Sequence, residues 1–264
     1  MRNVTRLDSI LPLQSRPRFP GFRWAGSCRS ALEVGGDFYD VMALSETSLL
    51  IAIADVMGKG LTAAVFADSL RTYVRALAKP EINPAELLFE LNNLMFDELS
   101  SAELFITVQL VVADRFQRQL NIASAGHCPL LVSGHNGRLW SVSPNGLPLG
   151  IELNAVFHDQ TTVLPPFGSV LLYTDGVTEA RDPQGRFFGQ ERLESWLCGG
   201  VRQAQSAAQL KANLLYELSV FRGAAELIDD QTFVLLCDET PRPLDPSSSH
   251  EEWSFSQVPD LSLV

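Results

Sequence analysis

The chain has 264 residues, of which 46% are hydrophobic, and it carries a formal net charge of −11. This composition is sufficient for the core of one compact domain with short extensions. The acidic balance argues against nucleic acid as a partner, because phosphate backbones bind clustered Lys and Arg side chains. It is equally unfavourable for binding to an anionic membrane surface. An acidic protein can still act on phosphate esters where bound cations neutralise its site.

Cysteine usage and hydropathy indicate a soluble cytoplasmic protein. The four cysteines are widely spaced and form no C-x-x-C pair: Cys28, Cys128, Cys198 and Cys237. This spacing argues against a disulfide framework or a structural zinc site and favours free thiols in a reducing compartment. The N-terminal sequence lacks the pattern of a signal peptide, and the most apolar stretches are too short to cross a bilayer. We therefore expect no membrane association.

The sequence predicts one domain between two extensions. Residues 1–21 carry three prolines and end at Pro20-Gly21, which is typical of a lead-in arm. Residues 22–239 have dense globular patterning, and residues 240–264 are rich in Pro, Ser and acidic side chains. Such a composition predicts a disordered tail.

The first half of the domain combines an apolar strand with two helices. Leu49–Ala54 is a short β-rich run, followed after Asp55 by a glycine-containing turn. Leu61–Ala78 contains no Gly or Pro and is rich in Ala, Leu and Arg, which predicts a helix. Asn83-Pro84 predicts the start of a second helix over Ala85–Leu99, with apolar residues at helical spacing.

The second half is mainly β-structure with two helices near its end. The strand patterns lie at Phe105–Ala113, Gln119–Ala123, Leu130–Val132, Leu139–Val142, Ser169–Thr174 and Thr232–Cys237. A His135-Asn136-Gly137 turn between two of these runs is typical of a hairpin. The sequence predicts helices over Glu191–Leu197 and Ala204–Phe221.

Aspartates at strand ends are the candidate functional residues. Asp55 and Asp175 follow apolar strands, Asp229 and Asp230 precede one, and Asp37 and Asp40 lie in the stretch GGDFYD. Carboxylates at the ends of central strands converge at one edge of a core, where they must be solvated or paired with cations. Oxygen ligands select Mg²⁺ or Mn²⁺ over zinc or copper. Two such ions close together can activate water and clamp phosphoryl oxygens.

Simpler interpretations exist for each of these signals. A single Asp after a strand is usually a cap or turn residue, but four such placements favour a metal site. The glycines around Lys59 do not form a phosphate-binding loop, because Ile53 stands at the first glycine position and Gly60 follows the lysine. We interpret His127 as a turn or core histidine. No G-x-S-x-G elbow for serine catalysis is present.

Seven ordered stretches resemble the PPM family of metal-dependent protein phosphatases (the protein phosphatase 2C superfamily), in particular its bacterial SpoIIE/RsbU branch. They are Leu11-Pro12 with Phe19-Pro20-Gly21, Val34–Asp40, Ala54–Gly60, Ala125–Pro129, Gly146–Gly150, Tyr173–Ala180 and Asp229–Thr232. Each stretch alone is a weak signal, but the ordered set is highly specific. Together they cover most of residues 11–237.

The resemblance implies an α+β fold in which two packed antiparallel β-sheets are flanked by helical layers, an α-β-β-α sandwich. It also implies two divalent cations, Mn²⁺ or Mg²⁺, at one end of the sandwich. Asp55 would bridge both ions, and the backbone carbonyl of Val56 would bind one of them. Asp175 and Asp229 would complete the shell of the other ion. Asp37 would bind directly or through water.

The resemblance also implies supporting roles and two departures. Asp40 and Asp230 would support the ligands without binding metal. Met57 stands where this branch usually has a small residue, so the loop beside the metals is expected to differ. Many relatives carry an N-terminal sensor domain, for which this chain has no room. Regulation is therefore expected from a partner, the tail or oligomerisation, or activity is constitutive.

The implied function is hydrolysis of phosphoserine or phosphothreonine in a protein by metal-activated water. The family's usual substrate is a phosphorylated anti-sigma-factor antagonist of a partner-switching pathway. The sequence does not decide between a monomer and a homodimer. The alternative is a non-catalytic regulator that uses the same fold to bind a phosphoprotein. The presence of Asp37, Asp55, Asp175 and Asp229 favours the enzyme.

Overall fold

The computed structural model describes residues 19, 21–143, 145–203 and 205–238. The predicted disordered tail and most of the predicted arm lie outside these residues. Phe19 is an exception, because its side chain is buried between the sheets and stacks on Phe22. This part of the predicted arm therefore contributes to the core. No helix in the described ranges is long and apolar enough to cross a bilayer.

The described residues form ten strands and five helices. The strands are β1 (Phe22–Arg29), β2 (Phe38–Ala43), β3 (Ser48–Val56), β4 (Ile106–Asp114), β5 (Gln119–Ala125), β6 (Leu130–Ser133), β7 (Leu139–Val142), β8 (Gln160–Val163), β9 (Ser169–Tyr173) and β10 (Gln231–Asp238). The helices are α1 (Leu61–Leu77), α2 (Pro84–Ala102), α3 (Asp175–Thr178), α4 (Gln190–Arg202) and α5 (Ala207–Arg222).

The strands form two five-stranded antiparallel sheets. One sheet has the order β1-β10-β9-β6-β7 and the other β2-β3-β4-β5-β8. Helices α1 and α2 pack on the second sheet, and α4 and α5 pack on the first. The predicted α-β-β-α sandwich is confirmed.

Both faces of the central strands are buried, which explains their continuous apolar runs. Successive side chains of a strand point to opposite faces. Along β3, one set of residues enters the core between the sheets and the other packs under α1 and α2: Leu49, Ile51 and Ile53 against Leu50, Ala52 and Ala54. Each sheet therefore has one face toward the other sheet and one toward helices.

Capping residues determine where two helices begin, and the sequence analysis predicted these starts only approximately. Asn83 Oδ1 accepts a hydrogen bond of 2.9 Å from the Ala85 amide, so α2 begins at Pro84. Ser206 and Gln209 form a capping box, so α5 begins at Ala207 and the prediction of a start at Ala204 is wrong.

The prediction also ended α4 too early, at Leu197, because the helix continues to Arg202. Gly199 and Gly200 lie within α4, and any Cβ at Gly200 would overlap Leu210 of α5. The glycine therefore allows α4 and α5 to pack closely.

Three strands and one short helix were not predicted. β1 mixes polar and apolar residues, β8 is an edge strand without fully buried side chains, and β2 contains a buried aspartate. Edge strands have one unpaired side, and their sequences carry a weak alternating signal. Helix α3 has only four residues and occupies the predicted loop after β9.

An ion pair joins the edge strand β2 to helix α1. The Asp40 side chain is fully buried, and Arg75 binds both of its carboxylate oxygens at 2.5 and 2.8 Å. The Val41 amide donates a further hydrogen bond to Asp40 at 2.9 Å. Asp40 thus has a structural role, because its partners are Arg75 and the Val41 amide. Its partner lies on α1, which starts directly after the glycine-containing turn.

Replacing Arg75 by Met should destabilise the fold, because the buried Asp40 carboxylate loses two charged donors. We expect the free energy of unfolding to fall by about 1.5–3 kcal/mol, measured by urea denaturation. Arg71→Met is the matched control on the same helix, since Arg71 pairs with the exposed Asp68. That change should cost about 0.5 kcal/mol or less. Equal losses in the two variants would contradict the assigned role of Asp40.

Candidate metal centre

The predicted site aspartates come from strand ends of both sheets, and these ends meet at one end of the sandwich. Asp37 directly precedes β2 and Asp55 lies near the end of β3, in the second sheet. Asp175 follows β9 and Asp229 precedes β10, in the first sheet. Asp37 contacts the first sheet directly, as described below. The fold therefore brings together residues far apart in sequence.

Asp37 is fixed by a hydrogen-bond network that crosses between the sheets. Its side chain is only 7% exposed, and Thr174 Oγ1 donates to its Oδ2 at 2.7 Å. The Thr174 hydroxyl in turn accepts the Thr232 amide at 3.1 Å. The Asp37 carboxylate is thus oriented by a fully buried threonine next to Asp175.

Asp230 holds the loop that carries Asp37. Its Oδ1 accepts the Ala31 amide at 2.8 Å and its Oδ2 accepts the Asp37 amide at 3.3 Å. A Cβ at Gly35 would lie 2.6 Å from the Asp230 Cγ atom. Glycine at position 35 therefore lets this loop close over Asp230. The Asp230 carboxylate acts on backbone amides, in agreement with its expected supporting role.

Gly36 allows the backbone to approach the carbonyl of Val56. The Val56 amide donates to the Gly36 carbonyl at 3.4 Å. A Cβ at Gly36 would lie only 2.8 Å from the Val56 carbonyl oxygen. A side chain at this position would therefore crowd the carbonyl that was predicted as a metal ligand.

Asp229 pairs with a lysine from the turn after β3. The Lys59 Nζ lies 3.0 Å from Asp229 Oδ1 and also donates to the Ile228 carbonyl. The pair is about half exposed. This contact links the turn after Asp55 to the segment before β10. The same positive charge partly offsets the rise in the pKa of the Asp175 carboxyl that burial and neighbouring carboxylates cause.

Burial and mutual repulsion raise the carboxyl pKa values in this cluster. Burial, together with the charges of Asp175, Asp229 and Asp230, raises the pKa of Asp55 to about 7. Burial and the Asp55 charge raise the pKa of Asp37 well above its usual range. Burial and the charges of Glu179 and Asp229 raise that of Asp175. These like charges require a counter-charge to be held together at neutral pH.

His127 and Cys128 lie close to the cluster but lack the properties of ligands. His127 is buried, and its Nδ1 lies 2.9 Å from the Thr107 hydroxyl. Burial lowers the pKa of its imidazole to about 4. The neutral, buried ring agrees with the interpretation of a core histidine. Burial and three aspartate charges raise the pKa of Cys128 to about 12, so its thiol stays protonated.

The chemistry of the donor set fits divalent cations. Carboxylates and a backbone carbonyl are the ligands that Mg²⁺ and Mn²⁺ prefer, and the raised pKa values mark uncompensated negative charge. In the described part of the chain, however, no three His, Cys, Asp or Glu side chains are arranged tightly enough to hold an ion. The ligand roles of Asp37, Asp55, Val56, Asp175 and Asp229 therefore stay predictions.

Two residues of this region were missed by the sequence analysis. Thr174 could have been noticed, because it lies between an apolar strand and a candidate aspartate. Lys59 was considered only as part of a phosphate-binding loop. Its pairing with Asp229 depends on the meeting of the two sheets, which no local pattern indicates.

Removal of the Lys59 charge should strengthen cation binding at the aspartates. In Lys59→Met, Asp229 loses its ammonium partner, and the negative potential of the cluster increases. We expect the apparent Kd for Mn²⁺ to fall by about tenfold, measured by titration calorimetry. Lys79→Met, at an exposed position just after α1, should leave the Kd unchanged. An unchanged or higher Kd for Lys59→Met would show that Lys59 does not compensate this cluster.

The raised pKa of Asp55 predicts a pH-dependent stability of the metal-free protein. The folded state retains a proton up to about pH 7, whereas the unfolded carboxyl releases it near 3.8. The folded state thus binds more protons in this interval, and stability falls as the pH rises through it. We expect the free energy of unfolding in EDTA to decrease between about pH 4 and about pH 7.

The contribution of Asp55 can be isolated by substitution, with urea denaturation as the measurement. Asp55→Asn should remove part of the pH dependence, and Asp68→Asn, on the exposed face of α1, should retain it. A wild-type slope in the Asp55 variant would contradict the raised pKa of this carboxyl.

Comparison with known proteins places this chain in a family. The sequence model of the family Stage II sporulation protein E (SpoIIE) matches residues 45–237. Phosphoserine phosphatase RsbU of Bacillus subtilis (strain 168) is 30% identical over 210 residues, which are 78% of this chain and 60% of the relative. Phosphoserine phosphatase RsbP of the same organism is 25% identical over 207 residues, 77% of this chain and 49% of the relative.

Solved structures share the fold. The SiaA-PP2C domain of Pseudomonas aeruginosa has a TM-score of 0.71 at 23% identity, covering 81% of this chain and 85% of that domain. The RsbU and RsbW domains of Rv1364c from Mycobacterium tuberculosis give a TM-score of 0.69 at 24% identity, covering 86% of this chain and 62% of that structure. The chain spans 60% of the length of the curated relative RsbU and 49% of that of RsbP. The family match extends over most of this chain, and the chain therefore belongs to the SpoIIE family.

Proposed function

We propose that this protein is a Mn²⁺- or Mg²⁺-dependent phosphatase that acts on phosphoserine or phosphothreonine in proteins. The observation that supports this function most strongly is the convergence of four carboxylates at one end of the sandwich: Asp37, Asp55, Asp175 and Asp229. Maintaining these charges together at neutral pH costs free energy unless cations compensate them. Because the carboxylate cluster costs free energy, we infer that it was selected to bind a ligand of positive charge rather than to stabilise the fold.

Each residue of the cluster has a distinct task in this proposal. Asp55 and the Val56 carbonyl would hold the cations from the second sheet, and Asp175 and Asp229 from the first. Asp37 would bind directly or through water, oriented by Thr174. Bound there, two divalent cations supply Lewis-acid activation of water and neutralisation of phosphoryl charge. Lys59, which lies 3.0 Å from Asp229, would supply a positive charge beside the site for a substrate phosphate.

The substrate we favour is a phosphorylated signalling protein, such as an anti-sigma-factor antagonist. Support comes from the relatives named phosphoserine phosphatase and from the structural neighbour in which an RsbU domain accompanies an RsbW domain. The acidic chain has no feature that favours nucleic acid or an anionic membrane as a partner. We place its activity in the cytoplasm. A homodimer is compatible with this function but is not required by it.

A non-catalytic regulator with the same fold is the second candidate. A regulator of this kind has no need for a full set of charged ligands, and loss of one aspartate would favour it. All four aspartates are present and lie at the same end of the sandwich. The enzyme is therefore the better explanation of this site.

Hydrolysis of an aryl phosphate by purified protein tests the reaction class. We expect turnover with added Mn²⁺ or Mg²⁺ and none in EDTA. Asp55→Asn should reduce kcat by at least about 100-fold, because the side chain proposed to bridge both ions loses its charge. Asp68→Asn should retain full activity. Circular dichroism of each variant controls for folding.

The possible outcomes separate the two candidates. Metal-independent turnover, or full activity of the Asp55 variant, would contradict the two-metal assignment. A folded wild-type protein that binds Mn²⁺ in calorimetry but hydrolyses no phosphate ester would support the regulator.

A further inference from the structure

A four-residue connection carries the chain from one sheet to the other at the end where the aspartates lie. It covers residues 126–129, between β5 of the second sheet and β6 of the first. Val108 of β4 bridges to Gly126, and the neighbouring Thr107 pairs with Asp55. Four extended residues span about 14 Å, and packed sheets lie about 10 Å apart. The connection therefore limits how far the two sheets can separate at this end.

His127 is the buried side chain of this connection. Its Nδ1 lies 2.9 Å from the Thr107 hydroxyl, and its backbone amide donates to Ser124 Oγ at 3.1 Å. The side chain of Gln109 donates to the Cys128 carbonyl at 3.3 Å. These hydrogen bonds hold the connection and the His127 ring against β4 and β5 of the second sheet.

The His127 ring also lies close to the first sheet. Its Nε2 is shielded from solvent and makes no hydrogen bond of normal geometry within the described residues. The Tyr173 backbone nevertheless raises the imidazole pKa, against the larger and opposite effect of burial. Tyr173 is the last residue of β9 and leads through Thr174 to Asp175. The ring is thus placed between the Thr107 side chain and the strand end that leads to Asp175.

Thr107 lies beside Asp55 on the face of the second sheet that is turned toward the first. The two residues are paired across β3 and β4. Directly opposite residues of antiparallel strands have Cβ atoms about 4.5–5.5 Å apart. Ile53 and Val111, on the same face of these strands, belong to the core between the sheets. The hydrogen bond between Thr107 and His127 is therefore formed next to a proposed metal ligand.

The proposed metal centre needs ligands from both sheets at one fixed separation. Mg²⁺ binds its oxygen ligands at about 2.0–2.1 Å in near-ideal octahedral geometry, so small shifts of a ligand weaken binding. The 126–129 connection is within reach of the carboxylates of both sheets, because the charges of Asp175, Asp55 and Asp37 all raise the pKa of Cys128. The spacing of the sheets at this connection thus belongs to the geometry of the site.

We propose that His127 is a positioning residue of the metal centre, which keeps the two sheet ends at the separation that the aspartates need to bind cations jointly. It acts through Thr107 on the side of Asp55 and through Tyr173 on the side of Asp175. It touches no reacting atom and acts only through these neighbours. The inference rests on the proposed metal centre and adds a residue outside its ligand set.

A double-mutant cycle on Mn²⁺ affinity tests this role. His127→Phe keeps a ring of similar size but removes both nitrogens, and Thr107→Val removes the hydroxyl with little change of shape. We expect each single variant to raise the Kd for Mn²⁺ by about tenfold in titration calorimetry, as for other groups that orient metal ligands. The double variant should lose no more than the weaker-binding single variant, because both substitutions break the same hydrogen bond.

Two further variants separate positioning from a general loss of stability. His135→Phe alters a histidine in the turn between β6 and β7, at the opposite end of the sandwich, where Nδ1 lies 3.3 Å from the Val201 carbonyl. It should lower the free energy of unfolding and leave the Kd for Mn²⁺ unchanged. His127→Asn retains a polar atom near the position of Nδ1, so it should bind Mn²⁺ more tightly than His127→Phe.

Amide hydrogen exchange in EDTA measures the effect on the sheet ends without metal. The amides of Thr174 and Met57 form backbone hydrogen bonds of 3.0 Å at the aspartate end, and the Asp238 amide forms one of 3.0 Å at the far end. In His127→Phe we expect the first two amides to exchange about tenfold faster and the Asp238 amide to exchange as in wild type.

The outcomes distinguish this inference from the proposed function. An unchanged Kd in the single variants, additive losses in the double variant, or an equal loss in His135→Phe would overturn the role of His127 while the metal centre stands. If the wild-type protein binds no Mn²⁺, the proposed metal centre fails, and hydrogen exchange then decides whether His127 holds the sheet ends. Equal exchange in wild type and His127→Phe would overturn that role.

Thr107→Val keeps the test decisive if His127→Phe fails to fold in circular dichroism. Its substitution leaves the imidazole in place, so the calorimetric and exchange measurements are repeated on this variant. A wild-type Kd for Mn²⁺ in folded Thr107→Val would overturn the proposal, and a Kd about tenfold higher would support it.

Discussion

Electrostatic repulsion between carboxylates at one end of the sandwich is the constraint on which the site depends. Asp37, Asp55, Asp175 and Asp229 come from two sheets that must pack closely to form the core, and their packing brings like charges together. Burial, and after it this repulsion, raises the pKa values of Asp37, Asp55 and Asp175. Hydrophobic burial of both faces of β3 and β10 is strong enough to hold the strand ends in place regardless. The apolar core therefore makes the charge cluster possible.

Several neutral or compensating groups keep the cluster in one arrangement. Thr174 orients Asp37 with a hydroxyl, and Asp230 orients the same loop through backbone amides. Gly35 and Gly36 allow that loop to lie directly against Asp230 and Val56. Lys59 supplies positive charge next to Asp229. Neighbouring groups of the protein thus set the positions of Asp37 and of the loop that carries it.

The family resemblance predicted the sandwich, and residue patterns predicted its central strands because burial leaves a strong local signal. Runs such as Leu49–Ala54 and Thr232–Cys237 alternate between two cores, and so they read as apolar throughout. The edge strands β1 and β8 lack that signal, and their pairing is determined by neighbours distant in the sequence. Asp40 was visible as a motif residue, but its partner Arg75 could not be deduced from spacing. The same limit applies to Lys59 with Asp229, since both pairs depend on tertiary packing.

Strands and connecting segments contribute different parts of this end of the molecule. Asp55 lies near the end of β3, a central strand whose hydrogen-bonded neighbours on both sides restrict backbone motion. Asp37, Asp175 and Asp229 lie just outside strands. The segment after β9, the end of α5 and the residues that lead into β10 line a small recess beside Asp229. Such connecting segments tolerate substitution better than strands do. The surface beside the aspartates can therefore change in sequence while β3 holds Asp55 in place.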